Sequence, residues 1–190
     1  MEQNYECIVV GTSAGGMEAL SWITSRLPTN FSCPIIMLQH IQEHSENYLI
    51  QYLQTKTNLR VIEADEKQEI RKGHIYIAPS GYHLLVEADR TFSLSVDKKE
   101  NFSRPSIDVL FETAADVFQE HLIGIVLTGA NADGSHGLKK IQDAGGLCLI
   151  QSPETASFPY MPLSASKIVD SAYILDLNEI VDLLSELNGM

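Results

Sequence analysis

The stretch Gly11-Thr12-Ser13-Ala14-Gly15-Gly16 lies between an apolar run, Cys7–Val10, and a helical pattern that extends from Met17 to Leu27. The run is rich in β-branched residues, as buried strands are, and the residues after the glycines are apolar at helical spacing. The stretch is therefore a strand-to-helix turn. The first N–H groups of a helix lack intrahelical partners and attract negative charge, such as an oxyanion or a phosphate.

Two motifs compete for this turn. GTSAG fits the G-x-S-x-G nucleophile elbow, whereas GTSAGG resembles a dinucleotide-binding loop in which Ser13 replaces the second glycine. That glycine lets a pyrophosphate approach the backbone, so its loss weakens the nucleotide interpretation. A third alternative is a tight turn with no chemical role, in which small residues only allow the strand and helix to pack. Ser13 is the candidate nucleophile, and other residues must decide.

Composition limits the class of protein. With 190 residues, 44% of them hydrophobic, we expect one domain spanning residues 1–190. The net charge of −12 disfavours nucleic acid and anionic membranes as partners. The N-terminus has no signal-peptide pattern and no stretch is long enough to span a bilayer, so we expect a cytoplasmic protein without membrane insertion. The three cysteines, Cys7, Cys33 and Cys148, adjoin apolar runs and suit reduced thiols.

Further strands end at candidate functional residues. The apolar run Cys33–Leu38 ends at Gln39 and His40, and the run Leu122–Leu127 ends at a turn-rich loop that contains Asp133. Strands that alternate with helices predict an α/β fold with a doubly wound, mostly parallel sheet and helices on both faces.

The middle of the chain interrupts this alternation. Short β-rich runs at 74–79, 82–87 and 91–96 predict an antiparallel β-meander insertion. The uneven, charged stretch 59–72 is expected to connect elements at the surface. Ser106 is predicted to cap the following amphipathic helix.

Ligands of doubly wound sheets bind outside the carboxyl ends of the strands, where Ser13, His40 and Asp133 all map. A serine hydroxyl is a weak nucleophile, a histidine can take its proton, and a carboxylate can orient that histidine and stabilise its cation. The chain order Ser-His-Asp differs from the Ser-Asp-His order of α/β-hydrolases. The elbow motif therefore cannot be transferred together with the α/β-hydrolase fold, and a different kind of serine hydrolase is needed.

A metal site is the rival interpretation of His40. The segment His40-Ile41-Gln42-Glu43-His44 fits the H-x-x-E-H pattern, in which two histidines one helical turn apart bind zinc beside a glutamate. That pattern needs both histidines inside a helix, whereas the run Pro34–Leu38 makes His40 a strand end. It also leaves the Ser13 turn unexplained, so we expect neither a metal nor a cofactor.

Six collinear stretches carry a family resemblance: GTSAGG at 11–16, Leu38–His40, Tyr76–Pro79 with His83, Arg104–Phe111, Leu127–Gly129 with Asp133–Gly134, and Met161–Pro162. In these stretches, and over nearly its whole length, the chain resembles the catalytic domain of the CheB-type chemotaxis methylesterases. That family hydrolyses glutamyl methyl esters on chemoreceptors.

The resemblance assigns roles that agree with the chemistry. It implies that Ser13 is the nucleophile, His40 the general base and then acid, and Asp133 the orienting carboxylate. The N–H of Ala14, beside the nucleophile, is one candidate oxyanion donor. The resemblance implies a second from the N–H of Ala130, a position at which the family usually has methionine.

The implied function is a protein-glutamate methylesterase that acts on the cytoplasmic helices of methylated chemoreceptors. Glutamine deamidation is a further activity of the family. The alternative from another class is a non-catalytic receptor-binding signalling module of the same fold. Family members usually carry an N-terminal phosphoreceiver domain, and the twelve residues before Ser13 are too few to form one. We therefore expect a stand-alone form whose control comes from a separate regulatory protein, from localisation or from expression.

Three further residues fall in or near these motifs. Arg104 has two alternatives, a pairing with receptor carboxylates or a structural role. His83 and His136 are expected to be structural, because a lone histidine in a hairpin or helix usually is.

Overall fold

A computed structural model of the chain describes residues 4–40 and 46–188. Within these residues the strands are β1 Cys7–Thr12, β2 Ile35–Gln39, β3 Arg60–Glu63, β4 His74–Ile77, β5 His83–Val86, β6 Phe92–Ser95, β7 Leu122–Val126, β8 Leu147–Gln151 and β9 Tyr173–Leu175. The α-helices are α1 Gly16–Thr24, α2 Glu46–Gln54, α3 Ile107–Phe118, α4 Ser135–Asp143, α5 Tyr160–Ser166 and α6 Leu177–Leu187, and a short 3-10 helix at Gln119–His121 precedes β7.

Seven of these strands form a parallel sheet in the order β3-β4-β2-β1-β7-β8-β9. Strand β1 lies in the middle, between β2 and β7. After β1, the chain first forms β2, β3 and β4 on one side of β1 and later forms β7, β8 and β9 on the other side. The direction changes at β1, which is the place where sheets of this kind bind ligands, at the carboxyl ends of the strands.

Both faces of the sheet are covered, because successive side chains of a strand point to opposite sides. Cys7 and Val9 of β1 lie in a core with residues of α3, α4, α5 and the hairpin β5–β6. Ile8 and Val10 lie in a second core with residues of α1, α2 and α6. The predicted doubly wound sheet with helices on both faces is confirmed.

The predicted antiparallel insertion is smaller than a meander. Only β5 and β6 pair in antiparallel fashion, and they form a separate hairpin. Assigning the run 74–79 to the meander was wrong, because β4 pairs in parallel with β2 and β3 in the main sheet. The physical reason is that Ile75, Tyr76 and Ile77 are all buried, so both faces of this strand are covered.

The stretch 59–72 also differs from the sequence analysis. It was expected as a surface connection, but it contributes the edge strand β3, whose Val61 is buried. In the part of the chain that the structure describes, no helix is long and apolar enough to cross a membrane.

Helices α3 and α4 approach closely at Gly137. A Cβ atom on Gly137 would lie 2.5 Å from Cβ of Phe111 and 3.0 Å from backbone atoms of Asp108. The Gly137 N–H also donates a 2.7 Å hydrogen bond to Oδ1 of Asp108. The start of α3 is therefore held against the start of α4, which follows the loop that contains Asp133.

We predict that Gly137→Ala destabilises the fold. Helix propensity alone predicts a gain of up to about 1 kcal/mol. The added methyl group instead clashes with Phe111 and the α3 backbone, and overpacking of this kind costs about 1–3 kcal/mol. Urea denaturation measures the free energy of unfolding. The control is His136→Ala, an exposed position on the same helix. A Gly137→Ala chain as stable as the wild type would mean that the two helices can move apart freely.

Candidate active site

Ser13 directly follows β1, in the turn that leads into α1. Gly15 precedes this helix with a φ of 76°, a left-handed conformation that favours glycine. A Cβ atom on Gly16 would lie 1.9 Å from Oε1 of Gln39 and 2.5 and 2.7 Å from Oγ1 and Cγ2 of Thr12, so a side chain there would displace both neighbours. The two glycines allow the chain to turn sharply while Ser13 stays at the end of the strand.

Thr128, after β7, fastens this turn to the neighbouring strand. The Ser13 N–H and the Thr12 hydroxyl donate to the Thr128 carbonyl at 3.0 and 2.7 Å. The Thr128 hydroxyl in turn donates to the Ala14 carbonyl at 2.9 Å. The ends of β1 and β7 are therefore tied together on both sides of Ser13.

His40 directly follows β2, on the other side of Ser13. Its N–H donates to the Thr12 carbonyl at 3.0 Å. The side-chain amide of the preceding Gln39 donates to the carbonyls of Ser13 and His40, at 2.6 and 3.0 Å. The imidazole Nε2 lies 3.0 Å from Oδ2 of Asp133, and both side chains are largely shielded from solvent.

The Asp133 carboxylate is the most heavily bonded group of the site. It is completely buried and lies at the N-terminus of α3. Its two oxygens face six donors: His40 Nε2 at 3.0 Å, Ile107 N at 2.7 Å, Ser106 Oγ at 2.8 Å, Asn101 Nδ2 at 3.0 Å, Asp108 N at 3.1 Å and Gly134 N at 3.1 Å.

These contacts decide the charge of Asp133. Burial alone would raise its pKa, but the hydrogen bonds from His40, from the Ile107 and Asp108 N–H groups and from Asn101 outweigh burial, and its pKa lies below the usual value. The carboxylate is therefore ionised at neutral pH and accepts a hydrogen bond from the Nε2–H of His40. In the neutral imidazole, the in-plane lone pair then lies on Nδ1.

Asn101 links Asp133 to a second buried acid. Its Nδ2 atom lies 2.8 Å from Oδ2 of Asp108 and 3.0 Å from Oδ1 of Asp133. Burial and the nearby Asp133 charge raise the pKa of Asp108, although the Gly137 N–H bond opposes them. The amide therefore lies between two carboxyl groups of which only Asp133 has a depressed pKa.

Asn131 occupies the remaining side of the imidazole. Its Nδ2 atom lies 3.2 Å from Nδ1 of His40, and its Oδ1 atom accepts the Asp133 N–H at 3.1 Å. Within residues 4–40 and 46–188, no hydrogen bond joins the Ser13 hydroxyl to His40. The structure thus brings Ser13, His40 and Asp133 to adjacent strand ends, with Asn131 at the ring nitrogen of His40 that Asp133 does not contact.

The two candidate oxyanion donors lie in turns that the backbone holds in place. Among the described residues, the N–H groups of Ala14 and Ala130 have no protein acceptor. The turn before Ala130 is fixed by bonds from Gly129 N to the Phe158 carbonyl and from Met161 N to the Gly129 carbonyl, both 3.0 Å. Main-chain donors held in this way are available to an anionic group.

The family model described as CheB methylesterase matches residues 8–184 of the chain. The chain belongs to the CheB methylesterase family. The resemblance carried by the six sequence stretches is confirmed.

Individual members of the CheB family match nearly the whole length of this chain. A protein of Leptospira interrogans serogroup Icterohaemorrhagiae serovar copenhageni is 49% identical over 185 residues, which are 97% of this chain and 96% of that protein. That protein carries the provisional name protein-glutamate methylesterase/protein-glutamine glutaminase. A Thermotoga maritima protein of the same name is 33% identical over 95% of this chain and 53% of its own length. The crystal structure of the Thermotoga maritima CheB methylesterase catalytic domain matches with a TM-score of 0.91 and 32% identity, covering 97% of this chain and 99% of that chain.

Several site residues of this CheB family member were missed in the sequence analysis. Asn101 and Asn131 lie in loops without periodic patterns, so only the structure reveals their contacts. Ser106 is the N-cap residue of α3, as predicted. Its hydroxyl makes no capping bond and instead donates to Asp133, which binds the first N–H groups of the helix.

His83 and Arg104 have structural contacts, whereas His136 lies exposed on α4. His83 is buried and contacts the Lys98 carbonyl and the Ser106 N–H through its two ring nitrogens. The Arg104 guanidinium donates to the carbonyls of Val96 and Asp97 at 2.9 and 3.0 Å, which favours its structural alternative.

The rival zinc interpretation used His40, Glu43 and His44. Glu43 and His44 lie outside the described residues, as does most of that motif. In the described parts on either side of it, no three His, Cys, Asp or Glu side chains come together as potential metal ligands.

We predict that Asp133→Asn lowers the free energy of unfolding by about 2–5 kcal/mol at pH 7, because an NH₂ group in place of either oxygen faces at least two donors. A carboxyl group whose folded pKa is depressed contributes stability above its unfolded pKa of about 3.9, and this stability is lost as the pH falls through the folded value. The difference between wild type and variant should therefore shrink in acid below about pH 4.

Urea unfolding at a series of pH values measures this difference. Asp170→Asn, which changes an exposed carboxyl group, is the control and should alter stability by less than about 0.5 kcal/mol. A difference for Asp133→Asn that stays constant from pH 7 to pH 3 would contradict the prediction.

Proposed function

We propose that the chain is a protein-glutamate methylesterase, one catalytic domain that hydrolyses glutamyl methyl esters on chemoreceptors in cytoplasmic sensory signalling. The observation that carries the proposal is the 3.0 Å contact between His40 and the buried Asp133, at the strand end next to Ser13. Membership of the CheB methylesterase family gives this serine-histidine-aspartate set its substrate class.

The first half of the reaction is acyl transfer to Ser13. The Ser13 hydroxyl passes its proton to Nδ1 of His40 while Oγ bonds to the glutamyl carbonyl carbon. The carbonyl oxygen becomes an oxyanion, and the N–H groups of Ala14 and Ala130 donate to it. The proton on His40 then moves to the methoxy oxygen, the carbon–oxygen bond breaks, and methanol leaves.

The second half returns the enzyme to its starting state. A water molecule gives its proton to His40 Nδ1 and attacks the acyl carbon. The tetrahedral intermediate collapses, the bond between the acyl carbon and Ser13 Oγ breaks, and Oγ regains a proton from His40. The glutamic acid side chain that is released loses its own proton to solvent and becomes the carboxylate. Asp133 accepts the Nε2–H bond throughout and stabilises the imidazolium that forms in each half.

Glutamine deamidation is a second candidate activity. The names of the relatives include protein-glutamine glutaminase, and the chemistry differs only in the leaving group. Attack of Ser13 on a glutamine side chain releases ammonia instead of methanol, and the same acyl-enzyme follows.

The chemoreceptor contact is supported by Phe102, whose side chain is 97% exposed. Its neighbour Asn101 bonds Asp133, so Phe102 lies one residue from the carboxylate cluster. Both residues have positive φ angles, 49° and 63°, in the left-handed region that costs a non-glycine residue energy. A strained loop that presents an aromatic ring to solvent beside a catalytic site suits an anchor for a protein substrate.

The alternative function is a non-catalytic module that keeps the fold and binds receptors, with control of either activity left to a separate regulatory protein. A serine-directed phosphonate separates the two classes. Covalent labelling at Ser13 supports the esterase, whereas an unreactive Ser13 in a folded chain supports the binding module.

We predict that Ser13→Ala and His40→Ala each reduce methanol release from a methylated receptor by a factor on the order of 10³ or more, because they remove the nucleophile and its base. Ser157→Ala is the matched control, since Ser157 lies beside Gly15 in the same region. Unchanged hydrolysis by either the Ser13 or the His40 variant would overturn the mechanism.

The turnover of the wild type is expected to persist in excess chelator, because a serine mechanism needs no metal. Loss of turnover with chelator, followed by recovery with zinc, would favour the metal interpretation.

We also predict that Phe102→Ala raises KM for the methylated receptor by about 5- to 30-fold, the effect of losing an aromatic anchor at an interface. Hydrolysis of a small ester such as p-nitrophenyl acetate should not change, because the Phe102 side chain is almost fully exposed and has no polar group that could take part in the reaction. The control is Tyr173→Ala: Tyr173 is 57% exposed but begins β9, at the opposite end of the sheet. An unchanged receptor KM would exclude Phe102 from the contact.

A further inference from the structure

The side-chain amide of Asn131 lies on the edge of His40 that a general base has to use. Its Oδ1 atom accepts the Asp133 N–H at 3.1 Å, which fixes the direction of the amide. The nitrogen end therefore faces the imidazole, and Nδ2 lies 3.2 Å from Nδ1 of His40. The short loop 128–134 thus supplies partners to both ring nitrogens, Asp133 at Nε2 and Asn131 at Nδ1.

These contacts assign the lone pair of the imidazole. The ionised Asp133 takes the Nε2–H, so Nδ1 is the acceptor nitrogen and Asn131 donates to it. A neutral imidazole has one in-plane lone pair, which accepts one well-aligned hydrogen bond. Ser13 and Asn131 are consequently alternative donors to the same atom. In the described residues, Nδ1 is paired with Asn131.

We propose that Asn131 is a positioning residue that holds the Nδ1 lone pair of His40 in the resting enzyme and releases it to Ser13 when an ester enters the site. The inference rests on the proposed serine mechanism. In the activating step the Nδ2–H···Nδ1 bond breaks and an Oγ–H···Nδ1 bond forms. The Ser13 proton then transfers to Nδ1 as Oγ attacks the ester carbonyl.

The arrangement lowers the reactivity of Ser13 in the absence of a receptor. The reactive state requires one hydrogen bond to be given up, and a typical net hydrogen bond corresponds to about a 2- to 10-fold change in population. A receptor glutamate that fills the site supplies contacts that offset this loss. A small reagent supplies few such contacts, so its reaction with Ser13 reports the restraint directly.

The test uses Asn131→Ser and Asn131→Ala in the full chain. The Oγ of serine can still accept the Asp133 N–H two residues on, as in an ST turn, but it is too short to reach His40. Alanine removes both bonds and serves as the matched comparison. The probe is an alkyl fluorophosphonate, and we expect it to inactivate both variants about 2- to 10-fold faster than the wild type at pH 7.

A second measurement follows the bond itself. Nitrogen-15 NMR of the imidazole in a Ser13→Ala background reports the hydrogen bonding of Nδ1 with no serine donor present. Asn131→Ser in that background should move the unprotonated Nδ1 resonance of His40 downfield, because the nitrogen loses its donor. A merely structural role for Asn131 in the turn would leave this resonance in place.

The outcomes separate this inference from the proposed function. Equal or slower inactivation of the variants, or an unchanged Nδ1 resonance, overturns the role of Asn131 while Ser13 labelling of the wild type still supports the esterase. If the fluorophosphonate labels neither the folded wild type nor the variants, the serine mechanism fails and this inference fails with it.

Discussion

A buried carboxylate holds three separate parts of the chain together. Asp133 binds the first N–H groups of α3, the amide of Asn101 in the preceding loop, and His40 at the end of β2. Burying a charge costs several kcal/mol, and hydrogen bonds to a charged group contribute about 1.5–3 kcal/mol each. Only a carboxylate with many hydrogen-bond donors is stable in a buried environment. The positions of α3 and of His40 therefore both depend on the Asp133 carboxylate.

Three of the six donors, the Ser106 hydroxyl and the N–H groups of Ile107 and Asp108, lie at the start of α3, and none of the six is a lysine or arginine side chain. The positive end of the α3 dipole points at the carboxylate and stabilises its negative charge. Asp133 therefore remains ionised while one of its oxygens stays directed at His40. The same hydrogen bonds that stabilise the buried charge of Asp133 also hold its carboxylate in the direction that orients His40.

The sequence predicts those parts of the site that local patterns determine. Apolar runs locate the ends of β1, β2 and β7, and Ser13, His40 and Asp133 follow from those ends. Long-range choices are not visible in local patterns. Ser106 has the residue type and position of a helix cap, but Asp133, which lies 27 residues further on, binds those N–H groups instead. The run containing β4 is recognisably a strand, yet its parallel partners depend on burial of both faces by distant helices.

The turn that carries Ala130 is fixed by Gly129 and its two main-chain bonds to Phe158 and Met161. None of these bonds involves the side chain at position 130. The direction of the Ala130 N–H is thus independent of which residue evolution places there. A main-chain donor at position 130 therefore does not require the methionine that the family usually has there, and the side chain at this position can be exchanged without loss of the donor.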